Sequence, residues 1–369
     1  STQGYSSAAS DVYKRQGEIT MKALRFYDVQ DLRYEDAPDP VIEKPDDVIV
    51  KVKAVGICGS DIARYRNLGP YVPGNVWGHE FCGEVVEVGE GVKNLKPGDR
   101  VVGCPNMVCH ECEYCKSGHP SRCENLNTIG AYVPGAYAEY IKLPEINFVK
   151  MADSMSYEQG ALVEPATVAI HGLYQTSIKM GYEVAVVGCG NIGLMAIAWA
   201  KAFGAKRVFA IDIDDAQLQL AKEFGADVLI NSTDIDFHDE IRKYGNGVDL
   251  AIESAGNPFT AARVLGLPHK GGEVVYMGIP YADVPIPRFY FERIMRNELH
   301  VIGSWCTISA PYPGKEWTNA VEYIGSGKVD VLGMVTHQVN LSEGPEMFKK
   351  IIANPKGYGK VLLYPEEDR

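Results

Sequence analysis

Residues 183–200 read EVAVVGCGNIGLMAIAWA, an apolar run that breaks at glycines and resumes with helical spacing. Few folds accommodate that break, because a strand must turn at once into a helix. The pattern then continues down the chain. Apolar strands are predicted at 183–187, 207–211, 227–230, 248–253, 273–277 and 299–303. Between them lie NIGLMAIAWAKAF, DDAQLQLAKEF and PFTAARVL, whose apolar residues recur every three to four positions. Strands alternating with helical crossovers predict an α/β fold, a doubly wound parallel sheet with helices on both faces.

The glycines themselves suggest a ligand. Gly188, Gly190 and Gly193 stand in GxGxxG spacing, with Asn191 and Ile192 filling the gap, and Asp212 follows nineteen residues after Gly193 at the end of the next strand. The first glycine permits the tight turn, the second lets a pyrophosphate approach the backbone, and the third lets helix and strand pack closely. The helix N-terminus then faces the phosphates. Asp212 is expected to accept from both ribose hydroxyls and to repel a 2′-phosphate, and no Lys or Arg follows it before Lys222. NAD is therefore expected over NADP. The plainer reading is a tight strand-to-helix turn in a sheet that binds nothing.

The N-terminal part has a different texture. VIVKVKAVGI, GEVVEVG, DRVVG and AEYIKL are short β segments separated by KPDD, LKPGD and VPGA. We expect an irregular β-rich domain over 21–167, a nucleotide-binding domain over 168–304, and a C-terminal stretch, 305–369, whose GKVLLYP strand returns to the first domain. Residues 1–20 lack apolar periodicity and are expected to lie outside the fold, as an appended extension or a disordered tail. The 36 basic and 48 acidic residues give a net charge of −12, which argues against nucleic acid and anionic lipid as partners. With no apolar run near membrane-spanning length and no secretory h-region, a cytoplasmic protein is expected.

Four of the nine cysteines, Cys109, Cys112, Cys115 and Cys123, fall within fifteen positions. A short loop with those gaps can fold its sulfurs into a tetrahedron, and four thiolates close the coordination shell, so a structural zinc is expected in a lobe over 104–123. Iron fits the same sulfur set, and free or disulfide-paired cysteines are the alternative. Cys104 lies outside the pattern and reads as a buried strand residue. A second constellation spans GICGSD, residues 56–61, and GHEFCGEVVEVGEGV, residues 78–92. Cys58 and His79 offer a thiolate and an imidazole, and Glu80 or the distant Glu164 offers a carboxylate. Mixed ligands on separate segments are what an open, catalytic zinc site uses. Taken singly, each of these residues also has a structural reading.

Together these motifs resemble the zinc-dependent medium-chain dehydrogenases and reductases, from Met21 to about Pro365. GHEFCGEVVEVGEGV is similar to the family's zinc signature, the Cys109–Cys123 lobe to its structural zinc site, and GCGNIG with Asp212 to its cofactor fingerprint. The resemblance implies a GroES-like catalytic domain, a Rossmann domain and an active site in the cleft between them. It implies Cys58, His79 and Glu80 as catalytic zinc ligands, with Glu164, in the EP motif of the polyol branch, binding directly or through water. Asp61 would orient His79, and Ser60 would take the proton as hydride passes from a zinc-activated alcohol to NAD. A histidine that often continues the proton relay is replaced by Ala63.

Within the polyol branch, VIGSWCTISAPYPGKEW and CGSDIAR are most similar to sorbitol and galactitol-1-phosphate dehydrogenases. Cys306 and Thr307 replace an Arg-Tyr pair associated with sorbitol enzymes, which weighs against free sorbitol, and Arg64 is a candidate for a substrate phosphate. The alternatives are a threonine-type or simple secondary alcohol dehydrogenase, and a non-enzymatic module that binds NAD and zinc. Related proteins are dimers or tetramers, and a homodimer or homotetramer is expected by that analogy alone.

Overall fold

The computed structural model describes residues 20–233 and 235–365. The expectation for residues 1–19 therefore lies outside the described residues, and Thr20 opens the first strand. The chain forms two compact units. The first holds the described residues up to Pro105, with Asn127–Lys150 and the chain from Gln338. The second holds Asn106–Leu126 and Met151–His337.

The first unit is built on an antiparallel sheet in which Phe148–Lys150, Arg100–Gly103, Glu80–Val88, Asp47–Gly56 and Lys360–Tyr364 are neighbours in that order. Asp47–Gly56 lies centrally because almost every side chain of DVIVKVKAVG finds cover. Each Val or Ile buried in this way stabilises the fold by about 1.5–3 kcal/mol. Its register brings Gly56 opposite Glu80 on one side and Leu362 on the other. Three segments distant in sequence thus end at one point. A smaller sheet, Asp31–Pro38, Thr20–Asp28 and Asn75–Val76, packs through Met21, Ala23, Ala37 and Val76.

The second unit contains the predicted α/β architecture. Six parallel strands lie in the order Val228–Asn231, Arg207–Asp212, Glu183–Val187, Val248–Glu253, Pro268–Tyr276, His300–Gly303. Strand order reverses at Glu183–Val187, which makes its C-terminal end the topological switch point where ligands bind in such sheets. Ala185, Val187, Phe209, Ile211, Val248, Ala251 and Val274 from the strands pack with Phe237, Ile241 and Val264 into one core cluster. The strand expected at 273–277 begins earlier, at Pro268. His269, Lys270, Gly271 and Gly272 carry no apolar alternation, and the pairing with Val248–Glu253 shifts register before Glu273, so the pattern was legible only beyond that irregularity.

Two segments expected with the first domain belong to the second unit. The cysteine lobe is one; Thr307 Oγ1 donates to Asn106 Oδ1 at 2.9 Å, and Tyr312 donates to the Asn106 carbonyl. The other is residues 305–337, where helix Lys315–Gly325 buries Trp317 completely. Among the described residues no helix is long and apolar enough to cross a membrane.

Candidate active site and metal centres

In the first unit, the strand Asp47–Gly56 ends and Cys58 becomes the N-cap of helix Gly59–Ala63. The Asp61 carboxylate turns back to accept from the Cys58 amide at 3.1 Å, fixing the turn that presents the thiol. Tyr137 donates its hydroxyl to the same carboxylate at 2.6 Å and reaches the Gly56 carbonyl at 3.2 Å. Burial pushes the Asp61 carboxyl up, and the charge of His79 and the Tyr137 hydroxyl pull against that. His79 Nδ1 lies 3.7 Å from Asp61 Oδ1, an ion-pair separation longer than a hydrogen bond.

His79 and Glu80 arrive from the neighbouring strand. Gly78 precedes them with φ of +93°, and a Cβ there would meet the Tyr137 ring at 2.4 Å, so glycine is required twice over. Glu80 is 1% exposed. A Cβ on Gly56 would lie 2.2 Å from Glu80 Oε2, so the bare backbone of Gly56 makes the space the carboxylate fills. Potential ligand atoms of Cys58, His79 and Glu80 all lie within 4.8 Å of one another. Soft sulfur, imidazole and carboxylate at that spacing fit a divalent zinc ion and leave a coordination position open.

Lys360 completes this surround. Its ammonium donates to Glu80 Oε1 at 2.8 Å and Oε2 at 2.5 Å, and to the Ile57 carbonyl at 3.2 Å. The residue is 1% exposed. Breaking a buried pair of this kind by removing one partner costs about 3–5 kcal/mol. Sequence reading missed Lys360 and Tyr137. A lysine opening an otherwise apolar strand, KVLLY, was the available signal for the first; no motif marks the second.

The other predicted residues have these positions. Ser60 is exposed in the first turn of Gly59–Ala63. Glu164 belongs to the second unit, 8% exposed in the first turn of helix Val163–Tyr174. Arg64 donates to the Gly69 carbonyl at 2.9 Å and its guanidinium lies 3.3 Å from the Tyr71 ring centroid, which favours its structural reading.

In the second unit the four sulfurs of Cys109, Cys112, Cys115 and Cys123 also lie within 4.8 Å of one another. Cys123 Sγ and Cys109 Sγ are 3.5 Å apart, close to the edge of about 3.8 Å that a tetrahedron with 2.3 Å zinc–sulfur bonds demands. Cys112 caps the short helix Glu113–Lys116. Backbone amides of Glu111 and Cys112 draw the Cys109 thiol down to about 6, while burial pushes Cys115 up to about 12. Cys104, outside the set, is fully buried. A cavity of about 400 Å³ in this unit borders the set at Cys123, with Arg122, His171 and Trp305 in its wall, and contains none of the Cys58 constellation.

At the switch point, Gly188 has φ of +91° and its missing Cβ would meet the Ala255 amide at 2.7 Å. A Cβ on Gly193 would lie 1.9 Å from the Gly188 carbonyl oxygen, so only glycine lets the helix pack this closely. Gly190 caps helix Asn191–Ala202 and faces open space, which fits a phosphate drawn up to the helix N-terminus. Asn191 and Ile192 form its first turn. Asp212 accepts from the amides of Cys189 at 2.6 Å, Ile213 at 2.7 Å and Asp214 at 3.0 Å. A carboxylate offers about four acceptor positions, so capacity remains for a ribose hydroxyl.

The family model for the alcohol dehydrogenase GroES-like domain matches residues 44–153, and that for the zinc-binding dehydrogenase domain matches residues 191–325. Sorbitol dehydrogenase of Bacillus subtilis (strain 168) is 35% identical over 353 residues, 94% of this chain and 97% of its own. The crystal structure of galactitol-1-phosphate dehydrogenase from Escherichia coli is similar with a TM-score of 0.90 at 33% identity, covering 94% of this chain and all of that one. A zinc-binding dehydrogenase from Sinorhizobium meliloti 1021, solved with NADP, is similar with a TM-score of 0.85 at 33% identity over 94% of this chain and 100% of its own. Likeness sustained over nearly the whole chain, and over both halves separately, makes this protein a member of the zinc-dependent medium-chain dehydrogenases, an oxidoreductase with a GroES-like domain and a Rossmann domain.

Proposed function

We propose that the protein oxidises a secondary alcohol of a polyol or polyol phosphate, with NAD as acceptor. The observation that carries this reading is the Cys58–His79–Glu80 constellation, whose mixed donors suit a catalytic rather than a closed zinc site. Cys58, His79 and Glu80 would hold that zinc, and Cys109, Cys112, Cys115 and Cys123 a second, structural one. The likeness to a sorbitol and to a galactitol-1-phosphate dehydrogenase supports the polyol class. When bound, zinc supplies Lewis acidity that makes a hydroxyl acidic near neutral pH, and the nicotinamide supplies a hydride acceptor.

The chain's own residues do the rest. Ser60, exposed beside the Cys58 cap, would accept the hydroxyl proton and, with Ala63 in place of a relay histidine, would release it to water. Asp61 and Tyr137 hold the Cys58 turn. Gly188, Gly190 and Gly193, with the amides of Asn191 and Ile192, receive the pyrophosphate, and Asp212 selects NAD by facing the ribose with negative charge.

We further assign the protein to the cytoplasm as a homodimer or homotetramer. None of its nine cysteines is in a disulfide, which suits a reducing compartment. His300–Gly303 is an edge strand of the parallel sheet with Val301 45% exposed, and in the same unit helix Arg288–Arg296 buries no residue and exposes Phe289, Phe291 and Met295. Such an edge and such apolar surface favour covering by a second copy.

The test is NADH formation across polyols, polyol phosphates, simple secondary alcohols and threonine, repeated with NADP. Turnover is expected with a polyol or its phosphate and NAD. Turnover confined to threonine or simple alcohols, or faster with NADP, would overturn the corresponding part.

A further inference from the structure

Glu80 faces two claims at once. It contributes to the metal-competent constellation, and both its oxygens accept from the buried Lys360 ammonium, 280 residues away in sequence, at 2.8 and 2.5 Å. Two features show that this is a built arrangement. Gly56 leaves the carboxylate a space that a Cβ would fill, and the ammonium is anchored independently on the Ile57 carbonyl at 3.2 Å. The last strand pairs with Asp47–Gly56, and the Ile57 amide donates to the Val361 carbonyl at 2.9 Å, which fixes Lys360 at this end of the sheet.

An ammonium in this position acts on a neighbouring cation in two ways. It occupies carboxylate lone pairs that the cation would otherwise take, and it adds like charge to a buried site where screening is weak. Both weaken the cation's hold on Glu80. We propose that Lys360 is a positioning residue for the metal site: by holding both oxygens of Glu80 it limits that carboxylate to one coordination position, so that the remaining position stays open to the alcohol. This rests on the reading of Cys58, His79 and Glu80 as the catalytic zinc site.

Zinc retention is measured on the full-length, zinc-loaded protein with a chromogenic chelator, the phase belonging to this site being identified as the one missing in Cys58→Ala. Lys360→Met is expected to hold that zinc at least about tenfold more tightly, the scale on which groups beside metal ligands act. Its KM for the alcohol should rise more than its kcat falls, because the second oxygen of Glu80 then competes for the substrate's position. Lys360→Arg, which keeps charge and donors, should stay near wild type. Lys360→Gln, which keeps a donor but not the charge, should shift in the same direction as Lys360→Met and serves if that variant does not fold. Zinc held no more tightly in the folded neutral variants, or an equal shift in Lys360→Arg, would overturn the role of Lys360 while leaving the metal site intact. A wild-type protein that retains zinc only at the cysteine lobe would overturn the site reading and this inference with it.

Discussion

The two candidate metal-ligand clusters of this chain are made in opposite ways. The cysteine lobe takes all four ligands from residues 109–123, in one loop. The Cys58 constellation takes its ligands from a helix cap and a neighbouring strand, and its countercharge from the last strand of the fold. The first has four like donors that close a shell, the second three unlike donors that leave one open. A site meant to hold structure can be local. A site meant to exchange ligands depends on neighbours that keep a ligand from binding too well.

The sharpest way to break this comparison is Cys58→Ala. Turnover should fall by more than about 10³-fold, since losing even one donor that stabilises a developing oxyanion costs about 10²–10³. NADH binding, followed by its fluorescence, should be unchanged. Retained turnover would remove the catalytic zinc from the comparison.

Gly56→Ala should be next. Its methyl would collide with Glu80 Oε2, displacing the carboxylate from both Lys360 and the metal position, and zinc affinity at this site alone should change by about 10- to 100-fold in a chelator titration. An unaltered titration would mean that Glu80 has slack the geometry does not suggest.

Cys112→Ser should act on the other cluster. One zinc per chain should be lost and the melting temperature should fall by about 5–10 °C, as expected for a loss of roughly 3 kcal/mol, with turnover at 25 °C largely kept. Full zinc content with unchanged melting would contradict the structural assignment. The smallest effect belongs to Tyr137→Phe, which removes one hydrogen bond to a buried carboxylate. Stability should drop by about 1–3 kcal/mol in denaturant unfolding, with zinc stoichiometry unchanged. A loss of zinc would show that Asp61 governs the site more tightly than its 3.7 Å separation from His79 implies.

How much of this was readable beforehand follows the same division. The parallel sheet was legible because apolar strands and amphipathic helices have distinct periods, and the strands at 183–187 and 248–253 fall where the pattern put them. Only the second half of Pro268–Tyr276 is legible, because its first half lacks an alternating pattern. The cysteine lobe was legible as a cluster because its ligands are neighbours in sequence, although its attachment through Asn106 to Thr307 and Tyr312 was not. Tyr137 was invisible as a site residue because no motif surrounds it, and Lys360 stood out only as a lysine opening the apolar strand KVLLY, with no metal ligand near it in the chain.

Sequence by itself determined the periodicities, the glycines that turn a strand into a helix, and the ligand types available to each cluster, since these depend on residue identity and local spacing. Tertiary structure decided that Glu80 stands with Cys58 and His79, that Gly56 makes room for it, and that an ammonium from the end of the chain shares it. The physical reason is that sheet register, set by side-chain packing across strands far apart in sequence, fixes those approaches.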